Sequence, residues 1–151
     1  MGLAKNIVLP ISYWGSIGYQ AHLLQYECII DKYEYFVKQS THSRCEILGA
    51  NKIILLNVPR VRKGSSKTQI KDLKINYDHP WQTQHWKSLM SAYRSSPYFE
   101  YYEDELNILY QKKICSLLEW NQLLQNKFFD LIGVNKKLLF TTRYETSHDL
   151  D

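Results

Sequence analysis

The chain is poor in the residues that interrupt structure. Six glycines and four prolines in 151 residues exclude collagen-like repeats and flexible linker sequence. Cysteine is scarce as well. Cys28, Cys45 and Cys115 are odd in number and far apart, and they form neither a C-x-x-C pair nor a metal-ligand spacing with the five histidines. Reduced, mostly buried thiols in a cytoplasmic protein are expected, with no metal site and no cofactor. Long apolar runs are absent. The longest, Ile53 to Leu56, is far too short to span a bilayer. Lys5, Asn6 and Pro10 interrupt any signal-peptide core after Met1. Catalytic signatures are missing too: there is no G-x-S-x-G elbow and no H-E-x-x-H.

What is present is ordinary globular composition, 44% apolar and 23% charged. A chain of this length buries roughly 70% of its unfolded surface and needs no staple. The unusual component is aromatic. Twelve tyrosines, five phenylalanines and four tryptophans make up 14% of the chain. So many phenols must either find buried partners or be displayed in a binding site. Charge is unevenly placed. Arg60, Arg62, Lys63, Lys67, Lys71 and Lys74 against Asp72 give one segment +5, leaving −1 for the rest of a chain whose total is +4. That points to a local anion site or a solvated basic loop more than to a general polyanion surface.

The apolar pattern predicts one α/β domain over residues 1–143 with a polar tail at 144–151. Strands are expected at Asn6–Leu9 and Glu27–Asp31, with a helix between them over Ile17–Leu24 capped by Ser16. Arg44–Leu48 and Ile53–Val58 flank Gly49-Ala50-Asn51-Lys52, a hairpin signal. Ile53 to Leu56 offer no polar face, so that strand is expected to be central and covered on both sides. A further strand is drawn over Ile70–Asn76. From Pro80 the period is helical. Trp86, Leu89, Met90 and Tyr93 fall on one face. Ser96-Pro97 predicts a restart, with serine as cap and proline at the first helical position. Ile114 to Ile132 forms a third helical pattern stopped by Gly133, and Leu138–Thr142 is a last strand. The expected architecture is a mixed sheet with a hairpin in the first half, packed by a helical layer from the second.

Few residues stand out chemically. Gly64-Ser65-Ser66-Lys67-Thr68 lacks the leading glycine of a P-loop and the strand–helix context, but Lys67 can hold an anion as a point charge. His85, beside Trp86 and one turn from Trp81 and Leu89, is either a general acid or base or a helix-face histidine satisfied by a backbone or carboxylate partner. Glu103, Asp104 and Glu105 suit a helix start better than a metal. Arg44, entering an expected central strand, must either pair with a carboxylate or face an anionic ligand. Single-stranded nucleic acid is the rival ligand for aromatics mixed with Lys and Arg. The core periodicity of the aromatics and the confinement of the basic excess to one loop argue against it.

Several segments together resemble the WbqC-like family of bacteria. They are Pro10-x-x-Tyr13, Arg44-Cys45-x-Ile47-Leu48-Gly49-Ala50-Asn51, Val58-Pro59, Lys67-x-x-Ile70-x-Asp72, Trp81-x-x-x-His85-Trp86, and Tyr93-Arg94-Ser95-Ser96-Pro97-Tyr98-Phe99-x-Tyr101-Tyr102. The stretch from Trp81 to Tyr102 is the most specific. Ser43 stands where the family usually carries Asn, and relatives continue beyond Asp151, so the resemblance implies a C-terminally shortened form. It further implies surface-polysaccharide (O-antigen and lipopolysaccharide) biosynthesis. Two roles are consistent with that: a transferase acting on a nucleotide-linked or amino sugar, or a non-catalytic binding or scaffold domain of the pathway. The expected partner is a small molecule, a nucleotide sugar. In that scheme Arg44 and Lys67 hold a phosphate or carboxylate, His85 is the acid or base, and Tyr13, Trp81 and Tyr102 line the pocket.

Overall fold

The computed structural model describes residues 6–62 and 67–144. β1 (Asn6–Pro10), α1 (Ile17–Gln25) and β2 (Glu27–Asp31) form a β–α–β unit in which the two strands pair in parallel, Val8 opposite Ile29. Ser16 caps α1, its Oγ accepting from the Tyr19 N–H at 3.2 Å, which satisfies one of the first-turn donors. β5 (Leu139–Phe140) returns beside β2, also parallel, completing a three-stranded sheet in the order β1-β2-β5.

The hairpin forms as its turn signal predicts, with β3 (Arg44–Leu48) antiparallel to β4 (Ile53–Asn57) and Glu46 opposite Leu55. The strands therefore divide into two small sheets, one parallel and one antiparallel, within the α/β class. β4 is not the covered central strand that its apolar run suggests. Ile54 and Leu56 turn toward the core, whereas Ile53 and Leu55 are 63% and 51% exposed on the outer face. A two-stranded sheet has only one face to bury, and hydropathy alone does not register that limit.

Ile70–Asn76 is likewise not a strand. Ile70–Asp72 is a single 3₁₀ turn, followed by isolated bridges of Ile75 to Arg60 and Lys74 to Ser116. The spacing of Ile70, Leu73 and Ile75 serves burial instead, since all three are in the core. α2 (Trp81–Tyr93), α3 (Phe99–Tyr110) and α4 (Leu117–Leu131) make the helical layer. α3 starts at Phe99, and Ser96 and Pro97 belong to the turn before it, where the Phe99 N–H reaches the Ser96 carbonyl. After α4, Gly133 sits at φ +74°, the left-handed conformation that a helix stop requires.

Two apolar clusters hold these layers. One joins Tyr13, Leu56, Val58, Trp81 and Trp120; the other joins Ile11, Leu23, Ile30, Ile70 and Phe129. α4 supplies both, with Trp120 and Leu124 to the first and Phe129 to the second. Of the thiols, Cys28 is buried, Cys45 half-buried and Cys115 exposed, so the expectation of mostly buried cysteines fails at Cys115. No described helix is long and apolar enough to cross a membrane.

Candidate functional site

The outer face of the hairpin is the floor of a groove. By alternation, Arg44 and Glu46 on β3 and Leu55 and Asn57 on β4 share that face. Its walls come from the loop before β3 and from the residues after β1. Both segments are tied down. The Tyr13 N–H donates to the Thr41 carbonyl at 2.9 Å. Within the loop, the buried His42 ring meets Glu34 Oε1 at 2.6 Å, and Asn121 on α4 donates to the His42 carbonyl at 2.8 Å.

The groove has two adjoining parts that share Gln39 and Arg44. The first, about 350 Å³, is bordered by Lys38, Arg44, Arg60 and Arg62, with no carboxylate among its described lining residues. Arg60 is fixed there by its guanidinium, 4.7 Å over the Phe36 ring. Arg44 is fixed by its Nε donating to Asn57 Oδ1 at 3.2 Å. The second part, about 550 Å³, is bordered by Tyr13, Trp14, Ser40, Glu46 and Leu55. Across both parts, Glu46 is the one carboxylate among the described lining residues. Trp14 (φ 43°) and Gln39 (φ 59°) are the two non-glycine residues with positive φ among those described, and both line the second part. Such strain persists only where surrounding structure enforces it, and it concentrates at functional sites.

Behind the groove runs a buried chain of hydrogen bonds. His85 Nε2 lies 3.1 Å from the Asn57 carbonyl, Tyr13 Oη lies 2.8 Å from His85 Nδ1 and 2.6 Å from Tyr110 Oη, and Trp14 Nε1 lies 2.7 Å from Tyr110 Oη. The direction of every proton follows. A carbonyl only accepts, so Nε2 carries the hydrogen. Burial lowers the His85 pKa to about 4, so the ring is neutral and Nδ1 accepts. Tyr13 therefore donates to His85, Tyr110 donates to Tyr13, and Trp14 donates to Tyr110. Burial also pushes both phenols above their usual range. The series begins at the strained Trp14 and ends at Asn57, whose side chain holds Arg44.

The expected site residues are thus only partly brought together. Arg44 borders the groove, while Tyr13 reaches its edge with a fully buried side chain that belongs to the hydrogen-bonded chain behind it. Arg44 is half-buried on the outer face of a hairpin, not at the mouth of a covered sheet. His85, 6% exposed, stands behind the groove with both nitrogens engaged. Lys67 is exposed, its Nζ 6.0 Å from the centre of the Tyr35 ring. Trp81 is in the core, edge-on to His85 and Trp120, and its rim borders a separate cleft with Tyr77 and Pro80. Tyr102 is 37% exposed on α3 and borders neither part of the groove. Gly64 to Ser66, in the segment compared with a P-loop, lie outside the described residues. Sequence reading missed Trp14, Gln39, Asn57 and the separate role of Arg60. Arg60 and Arg62 sat in the basic segment already flagged. Nothing in residue type announces a left-handed tryptophan.

Fold and groove together define a small α/β protein with a cation-walled surface groove backed by a buried tyrosine–histidine chain. The model of the WbqC-like protein family matches residues 13–151, and the chain belongs to that family. Comparison with curated proteins and with solved structures finds no match.

Proposed function

We propose that the groove binds a phosphate-bearing sugar, a nucleotide sugar in bacterial surface-polysaccharide biosynthesis, and that the protein transfers a group to or from it. The observation that carries this reading is the cationic cleft. Lys38, Arg44, Arg60 and Arg62 surround a space of about 350 Å³ with no carboxylate among the described lining residues. Two arginines held in place by fixed partners suit the planar, bidentate recognition of a diphosphate. The adjoining part, with the half-buried Trp14 and the exposed Leu55, suits the apolar face of a sugar ring. Family membership supports the pathway by analogy only.

In this reading Glu46 is the group placed to accept a proton from a sugar hydroxyl or amine. His85 is a positioning residue acting through Asn57. Titration with a nucleoside diphosphate sugar, the nucleoside diphosphate and the free sugar tests binding. Arg44→Ala and Arg60→Ala should each weaken the first two about tenfold, as lost charge-assisted contacts do. Glu46→Gln should retain binding and lose turnover. Binding that ignores both arginines would overturn the reading. A second reading, a non-catalytic binding domain, draws on the closure of His85 from the groove. It predicts the same arginine dependence with no product from any donor.

A further inference from the structure

A third cleft opens beyond Glu46, and nothing in the proposed function uses it. It encloses about 450 Å³ between the start of α1, β3 and the facing sides of α2 and α3. Its character is the reverse of the cationic cleft. Trp86, Leu89, Phe99 and Leu106 make its wall, and the carboxylate of Glu46 stands at the edge it shares with the sugar part of the groove. The two spaces have Trp14, Ser16, Cys45 and Glu46 in common, so one ligand can occupy both.

Three observations set it apart from a packing defect. Trp14 stands at the junction in a left-handed conformation, with its indole N–H committed to Tyr110. The ring is therefore fixed where the two spaces meet. The wall is preformed, because the Phe99 ring is engaged by both Trp86 and Tyr93 at 6.2 Å between centres. At the mouth, Ile17 is 91% exposed at the first position of α1, where a polar residue would serve the helix as well.

We propose that this cleft is a subsite for an aliphatic chain, an acyl or alkyl substituent carried by the sugar that lies beside Trp14. The inference rests on the proposed function for the place of the ring, and it narrows the substrate class to sugars bearing an apolar group. Continuity with the groove chooses this occupant. A ligand anchored by its ring next to Glu46 has one apolar direction in which to extend, and preformed apolar clefts of several hundred Å³ take such groups.

The probes are neutral alkyl glucosides, methyl, butyl and hexyl, kept below micelle formation and measured by calorimetry. Affinity should rise about two- to fourfold per added methylene, as burial of a methylene predicts. Leu106→Trp, which fills the cleft, should flatten that rise. Ile17→Asp, at a site too exposed to threaten folding, should reduce it at the mouth and guards against a misfolded Leu106→Trp. Arg44→Ala should leave the chain-length dependence intact. The phosphate reading and this one therefore fail separately: the former by indifference of nucleotide sugars to Arg44, the latter by chain-length-independent glucoside binding. A rise that survives both cleft variants would be adsorption and would overturn the subsite. So would a dimer in sedimentation that Ile17→Asp splits, because a second copy would then occupy the cleft.

Discussion

Tyr13 and His85 are 72 positions apart in sequence, yet the Tyr13 hydroxyl donates to His85 Nδ1 at 2.8 Å in the protein interior. This bond joins the segment after β1 to α2, and His85 Nε2 extends it to the end of β4. Removing the imidazole leaves the Tyr13 O–H without its acceptor and the Asn57 carbonyl without the His85 donor, and opens a cavity beside Trp81. His85→Ala should therefore cost about 3 kcal/mol. The melting temperature should fall roughly 6–12 °C for a chain of this size. A melt within a degree or two of the parent would show that the ring holds nothing together.

The same burial makes His85 a source of acid sensitivity. Its pKa falls from the usual 6.5 to about 4 in the folded chain. Between those values the unfolded chain binds the proton and the folded chain does not, so stability rises with pH. The neutral ring's contribution is complete above pH 6.5, declines as pH falls, and is lost by about pH 4. It amounts to about 3 kcal/mol. Urea unfolding at pH 7.5, 6 and 5 should show parent and His85→Gln converging as the medium acidifies. Parallel curves would refute the assignment.

The parallel unit, the hairpin and the three long helices were readable because each rests on local periodicity and turn chemistry. Ser16, Gly133 and the Gly49–Lys52 turn act within a few residues. The errors lie where the answer depends on what is not local. The run Ile53–Leu56 reads as covered on both faces, but no second layer reaches Leu55. Ile70–Asn76 alternates imperfectly because its apolar residues answer to α4 and to the loop before β3, not to a strand partner. Of the residues around the groove, Arg44 and Tyr13 fall within the family-like motifs, Arg44 on its surface and Tyr13 buried behind it. Trp14 and Asn57 act through a backbone angle and a carbonyl, and neither is written in residue type.

Two glycines should behave oppositely to their backbone angles. Gly133 has φ +74° and open space around an added Cβ, so Gly133→Ala should cost about 1 kcal/mol through conformation alone. At Gly15 an added Cβ would lie 2.2 Å from the Tyr19 ring. That ring cannot simply turn away, because its hydroxyl donates to the Pro10 carbonyl at 2.8 Å. Gly15→Ala should thus be the more destabilising, by up to about 3 kcal/mol. Denaturant midpoints of the two variants rank them. The reverse order would mean that Tyr19 is freer than its hydrogen bond implies.

Tyr110 is the link between the groove surface and the buried chain. Its oxygen accepts from Trp14 Nε1 at 2.7 Å, and its proton goes to Tyr13 at 2.6 Å. Tyr110→Phe strips Trp14 of its acceptor and Tyr13 of its donor while keeping the ring that packs edge-on against Trp120. The loss should be about 1–3 kcal/mol. If the bond is what holds the indole in its strained pose, Trp14→Phe removes the same interaction, and the double variant should be less damaged than the sum of the two. A coupling of roughly 0.5–3 kcal/mol is expected for groups in direct contact. Additivity within a few tenths would mean that packing alone fixes Trp14. The left-handed backbone at the groove would then owe nothing to the buried chain behind it.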